Sequence, residues 1–245
     1  LETLAFIWTN GPSILHMLVE HLQIVAVGVG FAILTGVPLG IAISLNERVA
    51  RVVLYVAAIL MTVPSVALFG LLIPVLSLIG QGIGFLPAVI ALFFYSQLPI
   101  VRNTYTAIRN LDPAMREAAR GMGMTTKQRL VRVELPIAVP IIMAGIRMAV
   151  VINIGIAAIA TYIGAGGLGK LISRGISQSD PRQLIAGAVI VGALAIVADF
   201  GLACLQRRLT PAGLRTPRLP LLALGRRAVS ADVRAGDPIT IAESR

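Results

Sequence analysis

Long apolar blocks alternate with short polar ones along this chain. Between Val52 and Val101 there is no charged residue at all. A soluble fold cannot bury fifty such residues in a row, so the pattern is that of a membrane protein. A helix rises 1.5 Å per residue, and about 20 apolar residues cross the hydrocarbon core. Five runs meet that length. They are Leu22–Leu45, Val53–Ile79, Phe85–Val101, Leu135–Ile163 and Leu184–Leu205, with the GQGIG turn at Gly80–Gly84 separating the second from the third. Residues 4–19 are apolar but carry a Gly-Pro break, and read as an interfacial helix rather than a sixth span. The expected architecture is an all-α integral membrane fold. Residues 1–21 form an N-terminal interfacial segment, 22–205 a single transmembrane domain, and 206–245 a basic tail.

Composition agrees with this pattern. Of 245 residues, 57% are hydrophobic and 13% charged, and the mean hydropathy is +0.88. Soluble domains carry about a quarter charged residues. The net charge of +10 raises nucleic acid as a partner, but its distribution favours membrane topology instead. The loops after the first, third and fifth runs hold two, seven and eight Lys or Arg residues. The N-terminal segment and the second loop hold none, and the fourth holds three. The positive-inside rule then places the N-terminus outside and the C-terminus in the cytoplasm. The first apolar run lacks a basic n-region and is too long for a cleavable signal peptide. The tail is rich in Arg, Pro, Ala and Gly without periodicity, and reads as disordered and attracted to anionic lipid. Cys204 is the only cysteine, so no internal disulfide forms. His16 and His21 lie near the outer interface, and nothing about them points to a metal.

One polar stretch breaks the pattern: EAARGMGMTTKQRLVRVELP, residues 117–136. Asp112-Pro113 is a helix start, with Asp as N-cap and Pro in the first turn. Gly121-Met122-Gly123 stops that helix. Thr125 and Gln128 fit a capping box for a second short helix ending before Pro136. Glu117-Ala118-Ala119, three residues, Gly123, nine residues, Val133, one residue, Leu135-Pro136: this spacing resembles the EAA signature of permease subunits of binding-protein-dependent ABC importers. Val133 stands where the family usually has Ile. The resemblance implies that residues 112–134 are cytoplasmic coupling helices docking into a separate ATPase. Glu117, Ala118, Ala119, Gly121, Gly123, Leu135 and Pro136 are then the coupling positions.

ALFFYSQLPIVRNTY (91–105), PIIMAGIRMAV (140–150) and YIGAGGLGKLI (162–172) narrow the resemblance to osmoprotectant importers carrying glycine betaine, carnitine or choline. It covers roughly residues 20–213. It implies the type I, methionine-importer-like permease fold in the bacterial inner membrane. It also implies a dimer of ATPase subunits that bind ATP and magnesium, a second permease (a copy or a paralogue), and an extracytoplasmic substrate-binding protein. No cofactor belongs to this chain. A permease for methionine or a phosphonate, or a stand-alone secondary transporter, is the alternative.

Other residues have two readings each. GAGGLG (Gly164–Gly169) with Lys170 resembles a nucleotide loop, but it follows a membrane helix and Leu171 replaces the Ser or Thr that would hold magnesium. It reads as a flexible turn allowing close packing, which leaves the chain a transport subunit rather than an enzyme. Arg147, some eleven residues into the fourth run, is either a translocation-path residue or an arginine snorkelling to the interface. Asn153 either lines the path or bonds a neighbouring helix. Asp199 reads as structural, paired with a basic residue. Tyr95, with Phe93 and Phe94, offers a cation–π surface or simple packing. Gly36 and Gly40 form a small-xxx-small packing face. Pro64, Pro74, Pro87 and Pro99 are expected to kink the second and third spans.

Overall fold

A computed structural model describes residues 2–210, and all its elements are helical. In chain order they are α1 (Glu2–Thr9), α2 (Gly11–Ile43), α3 (Glu47–Thr62), α4 (Ser65–Ser77), α5 (Phe85–Arg109), α6 (Pro113–Gly121), α7 (Thr126–Arg129), α8 (Leu135–Ile159), α9 (Gly169–Ser177) and α10 (Pro181–Leu209). A π-turn, Leu130–Glu134, joins α7 to α8, and a 3-10 turn, Ala160–Ile163, follows α8. Among the described residues, α2, α5, the segment ending at Ile163, and α10 are long and apolar enough to cross a membrane. Counting α3 and α4 as one bent crossing gives a fifth.

Helix α5 is the centre of the bundle, flanked by α2, α3, α4 and α8, and α10 lies against α8 and α9. The closest seam is α2 on α5. Gly28, Ala32, Gly36 and Gly40 recur every fourth residue and so share one helix face. A β-carbon on Gly28 would stand 2.8 Å from Leu92 Cβ, and one on Gly40 2.6 Å from Thr104 Cβ. Small residues here let the two backbones meet. Gly145 of α8 is equally tight against Pro99 O and Asn103 of α5. Ile24, Ala88, Leu92, Ile100, Ala149 and Ile154 fill the core between these three helices.

Several expected boundaries move. The helix that carries the first run does not begin at Leu22. Helix α2 is continuous from Gly11, and 33 residues make it about 50 Å long. Pro12 falls in its first turn, where a missing N–H costs nothing, so the Gly-Pro pair starts this helix rather than breaking the earlier one. The break falls at Asn10. The second run is not one rod: α3 and α4 meet at 97°. Val63 precedes Pro64 and takes an extended ψ of 125°, as proline sterics demand. Pro87 by contrast lies in the first turn of α5, and Pro99 is accommodated within it.

The short helix after Thr125 does not end before Pro136. It runs through the π-turn into α8. The Leu135 N–H bonds Leu130 O, a wide i→i−5 turn. That widened turn immediately precedes Pro136, where an α-turn would press the proline ring on a carbonyl four residues back. Helix α10 extends to Leu209, so Gln206 belongs to it rather than to a tail. The expected disorder of the tail from residue 211 onward falls outside the described residues.

Candidate coupling surface and polar groups of the spans

The polar stretch folds locally much as its sequence dictates. Asp112 Oδ1 accepts the Ala114 N–H at 2.9 Å and caps α6. Gly123 closes α6 at φ +75°, a conformation that L side chains adopt only with strain. Both halves of the capping box form: Gln128 N donates to Thr125 Oγ1 at 3.3 Å, and Thr125 N to Gln128 Oε1 at 2.9 Å.

Most of the motif faces outward. Glu117, Ala118, Gly121 and Gly123 are exposed, as are Met115 and Met122. Met115, Ala118 and Met122 are spaced three and four residues apart and make one apolar strip on α6. Ala119, bordering the strip, is buried, and Leu135 and Pro136 are half-buried at the root of α8. Residues 117–123 therefore form a small protruding surface, while 135–136 anchor it.

The anchor contains a charge cluster that sequence reasoning missed. Glu134 is 4% exposed. Its Oε1 accepts a hydrogen bond from Arg129 Nε at 2.8 Å and pairs with Arg116 Nε at 3.4 Å. Arg116 also donates to Ile108 O at the end of α5. One carboxylate thus ties α6, α7, the π-turn and α5 together. The sequence signal is slight: a lone Glu at the foot of an apolar run, five residues after an Arg, a spacing that becomes neighbourly only on a π-turn.

The three candidate path residues are not brought together. Tyr95 is buried, and its hydroxyl donates to Val63 O, a carbonyl freed at the α3–α4 break. It stabilises the bend. Asn153 is fully buried. Its amide donates to Ser96 Oγ at 2.7 Å and to Ala149 O at 2.9 Å, joining α8 to α5, and its Oδ1 has no partner. Arg147 is different. Its Nε and one terminal nitrogen donate to the two carboxylate oxygens of Asp199 at 2.9 and 2.8 Å, and the other terminal nitrogen donates to Gln206 at 2.8 Å. This bidentate pair lies on the open side of α8 and α10, in a groove of about 820 Å³.

At the far end of the bundle from α6, the GAGGLG turn is a built structure rather than a loose one. The Glu20 carboxylate accepts the Gly167 N–H at 2.8 Å and pairs with Lys170 at 2.9 Å. His16 stands 3.3 Å from the same carboxylate. His21 is fully buried against Gly167, where a β-carbon would meet its Nδ1 at 3.0 Å. Its Nε2 lies 3.1 Å from Ile154 O, so that nitrogen carries the proton. Residues Gly169–Ser177 then form α9. The turn's N–H group is already engaged by a protein carboxylate, where a nucleotide loop would offer it to phosphate. Among the described residues, no group of three His, Cys, Asp or Glu could hold a metal ion.

The family model for "binding-protein-dependent transport system inner membrane component" matches residues 28–211. The chain belongs to that family. It is the permease type of ABC importer subunit, a multi-pass protein of the bacterial inner membrane. The osmoprotectant import permease protein OsmW of Salmonella typhimurium is 55% identical over 215 residues, covering 88% of this chain and 100% of that one. The choline transport system permease protein OpuBB of Bacillus subtilis is 43% identical, covering 86% and 94%. The glycine betaine/carnitine/choline permease protein OpuCB of the same organism is 42% identical, covering 87% and 96%. Among solved structures, the inward-facing MetNI methionine ABC transporter superposes with a TM-score of 0.74 at 24% identity, over 81% of this chain and 96% of that chain. At that identity the likeness establishes the fold alone.

Proposed function

We propose that this chain is the permease subunit of an ATP-driven importer for osmoprotectants of the quaternary-amine class, such as glycine betaine, carnitine or choline. The observation that carries the cargo is the 55% identity across the full length of an osmoprotectant import permease. In this reading the chain makes five crossings, with α3 and α4 forming one bent crossing, the N-terminus outside and the C-terminus inside. The basic end carrying α6 and α7 is cytoplasmic.

The strip of Met115, Ala118 and Met122 on α6 is the surface that meets the ATPase. Small and flexible apolar side chains there allow close approach without a fixed geometry. The Glu134 cluster carries motion of α6 into α8. ATP and magnesium are bound by the partner ATPase dimer, and this chain supplies the passage. A second permease, identical or paralogous, closes the other side of that passage, and an extracytoplasmic binding protein delivers solute to it. Nucleotide-driven closure shifts the spans between two states only because the partners bind those states with different affinity.

The test is uptake. Inverted vesicles are unsuitable because the binding protein must act from outside, so proteoliposomes carrying the assembled transporter, ATP within and binding protein without, are used. ATP-dependent accumulation of labelled glycine betaine, carnitine or choline is expected. Accumulation of labelled methionine and none of the three amines would reassign the cargo.

A further inference from the structure

The Arg147–Asp199 pair sits where a charge is costly. Arg147 is twelve residues into α8, about 18 Å above Leu135, and Asp199 is ten residues above the end of α10, about 15 Å. Charges at such depth face a bundle interior or an aqueous cavity. Yet neither side chain is closed off within this chain: 27% of the Arg147 side chain and 42% of the Asp199 side chain are exposed. Both open into the groove of about 820 Å³, whose other walls are apolar: Met148 and Val151 on α8, Ile196 and Phe200 on α10. Beyond Gly187 no residue of α10 is buried. Gln206 holds the arginine from a third side, and donates to Pro140 O at 2.8 Å, so the guanidinium is braced independently of Asp199.

We propose that this pair is a transit site for zwitterionic quaternary amines, in which Arg147 takes the solute carboxylate and Asp199, with the face of Phe200, takes the quaternary ammonium. This rests on the cargo reading under Proposed function. The exchange conserves ion pairs: the Arg147–Asp199 contact opens, and two solute contacts of the same kinds replace it. No charge is left bare in the low-dielectric interior. The guanidinium fork suits a carboxylate in two-pronged geometry. A quaternary ammonium has no N–H to donate, so it is held by charge and by an aromatic face, and Phe200 is 68% exposed beside Asp199. Bracing by Gln206 keeps Arg147 oriented when Asp199 turns to the solute. A purely cationic solute such as choline engages only the Asp199 side.

That asymmetry is the test. The complete transporter, with its ATPase and binding protein, is reconstituted, and initial ATP-driven uptake of glycine betaine and of choline is measured. The binding protein is common to all samples, so a change in the betaine-to-choline ratio belongs to the permease. Arg147→Gln is expected to lower the ratio about tenfold, and Asp199→Asn to depress both solutes. Phe200→Leu, which leaves the ion pair in place, is expected to slow both several-fold. An unchanged ratio in Arg147→Gln, or full recovery of both solutes in the exchanged pair Arg147→Asp with Asp199→Arg, would show a structural ion pair and overturn the proposal. If Arg147→Gln fails to assemble, Arg147→Lys decides, with a ratio shift in the same direction expected and an unchanged ratio overturning. Wild-type protein that transports neither solute overturns the cargo reading itself, and this inference with it.

Discussion

Replacing Glu134 by Gln keeps the side chain's shape and removes its charge. Two arginines then lose their common partner. Breaking a fully buried ion pair from one side costs about 3–5 kcal/mol. Here Arg129 is 12% exposed and Arg116 28%. Water reaches both, and the expected cost falls to about 1–3 kcal/mol. Since about 1.4 kcal/mol is tenfold, the arrangement that fixes α6 to the root of α8 weakens by one to two orders of magnitude. The α6 surface itself is untouched, because Met115, Ala118 and Met122 are exposed and the Glu134 carboxylate is engaged by Arg116 and Arg129. The ATPase partner should therefore still bind and still hydrolyse ATP. The expected defect is in transmission: uptake per ATP hydrolysed drops several-fold while complex recovery is preserved. Replacing Arg129 and Glu134 together by Met should recover thermal stability, since a neutral apolar pair leaves no stranded charge beyond Arg116. The assay is paired measurement of hydrolysis and uptake in one proteoliposome preparation. Wild-type uptake per ATP and wild-type thermal midpoint in Glu134→Gln would mean that the Glu134 cluster carries neither stability nor coupling.

Three further perturbations follow from the same geometry. Gly40→Val forces a β-carbon into Thr104 at 2.6 Å; overpacking of about 1–3 kcal/mol should lower the thermal midpoint in detergent, whereas the same change at Gly30, where nothing lies within 4 Å, should be tolerated. Tyr95→Phe strips the donor from Val63 O and should destabilise the bend by about 0.5–1.5 kcal/mol, read as faster thiol labelling of a cysteine placed at Val63; an unchanged rate counts against the hydroxyl's role. Glu20→Gln weakens both the Lys170 pair and the bond to Gly167 N, and should raise hydrogen exchange at 164–170 without altering exchange at 113–134; equal protection in both proteins would mean the turn holds itself.

Length and apolarity alone were enough to locate four of the helices, because a run such as 85–101 or 184–205 has no soluble alternative, though the helices themselves extend past those runs to 85–109 and 181–209. Local chemistry was also legible: Asp112-Pro113, the Gly123 stop and the Thr125–Gln128 box each act within four residues, the range over which a sequence speaks for itself. What escaped was set by contacts across the bundle. Pro64 announces a kink, but the partner of the carbonyl freed at the 97° bend is Tyr95, thirty-two residues away, reaching Val63 O. Pro136 suggested a helix end because the π-turn that accommodates it leaves no mark in composition. Arg147 and Asp199 were each visible as expensive charges, yet 52 residues separate them and nothing linear pairs them. Glu20 and Lys170 are 150 residues apart, and joined only by the fold.

On this reading the exposed strip of α6 docks an ATP-hydrolysing subunit. Ala118 tests it more cleanly than Gly123, whose φ of +75° would strain any substituted backbone. Ala118 is exposed, so Ala118→Arg should fold normally. The measurement is co-purification of tagged permease from native membranes, with ATPase activity and subunit identity read in the eluate. An ATP-hydrolysing subunit is expected with the wild type, and its loss, with unchanged permease yield, in Ala118→Arg. Equal recovery of that subunit with both proteins, or none with the wild type under conditions that preserve such complexes, would contradict it.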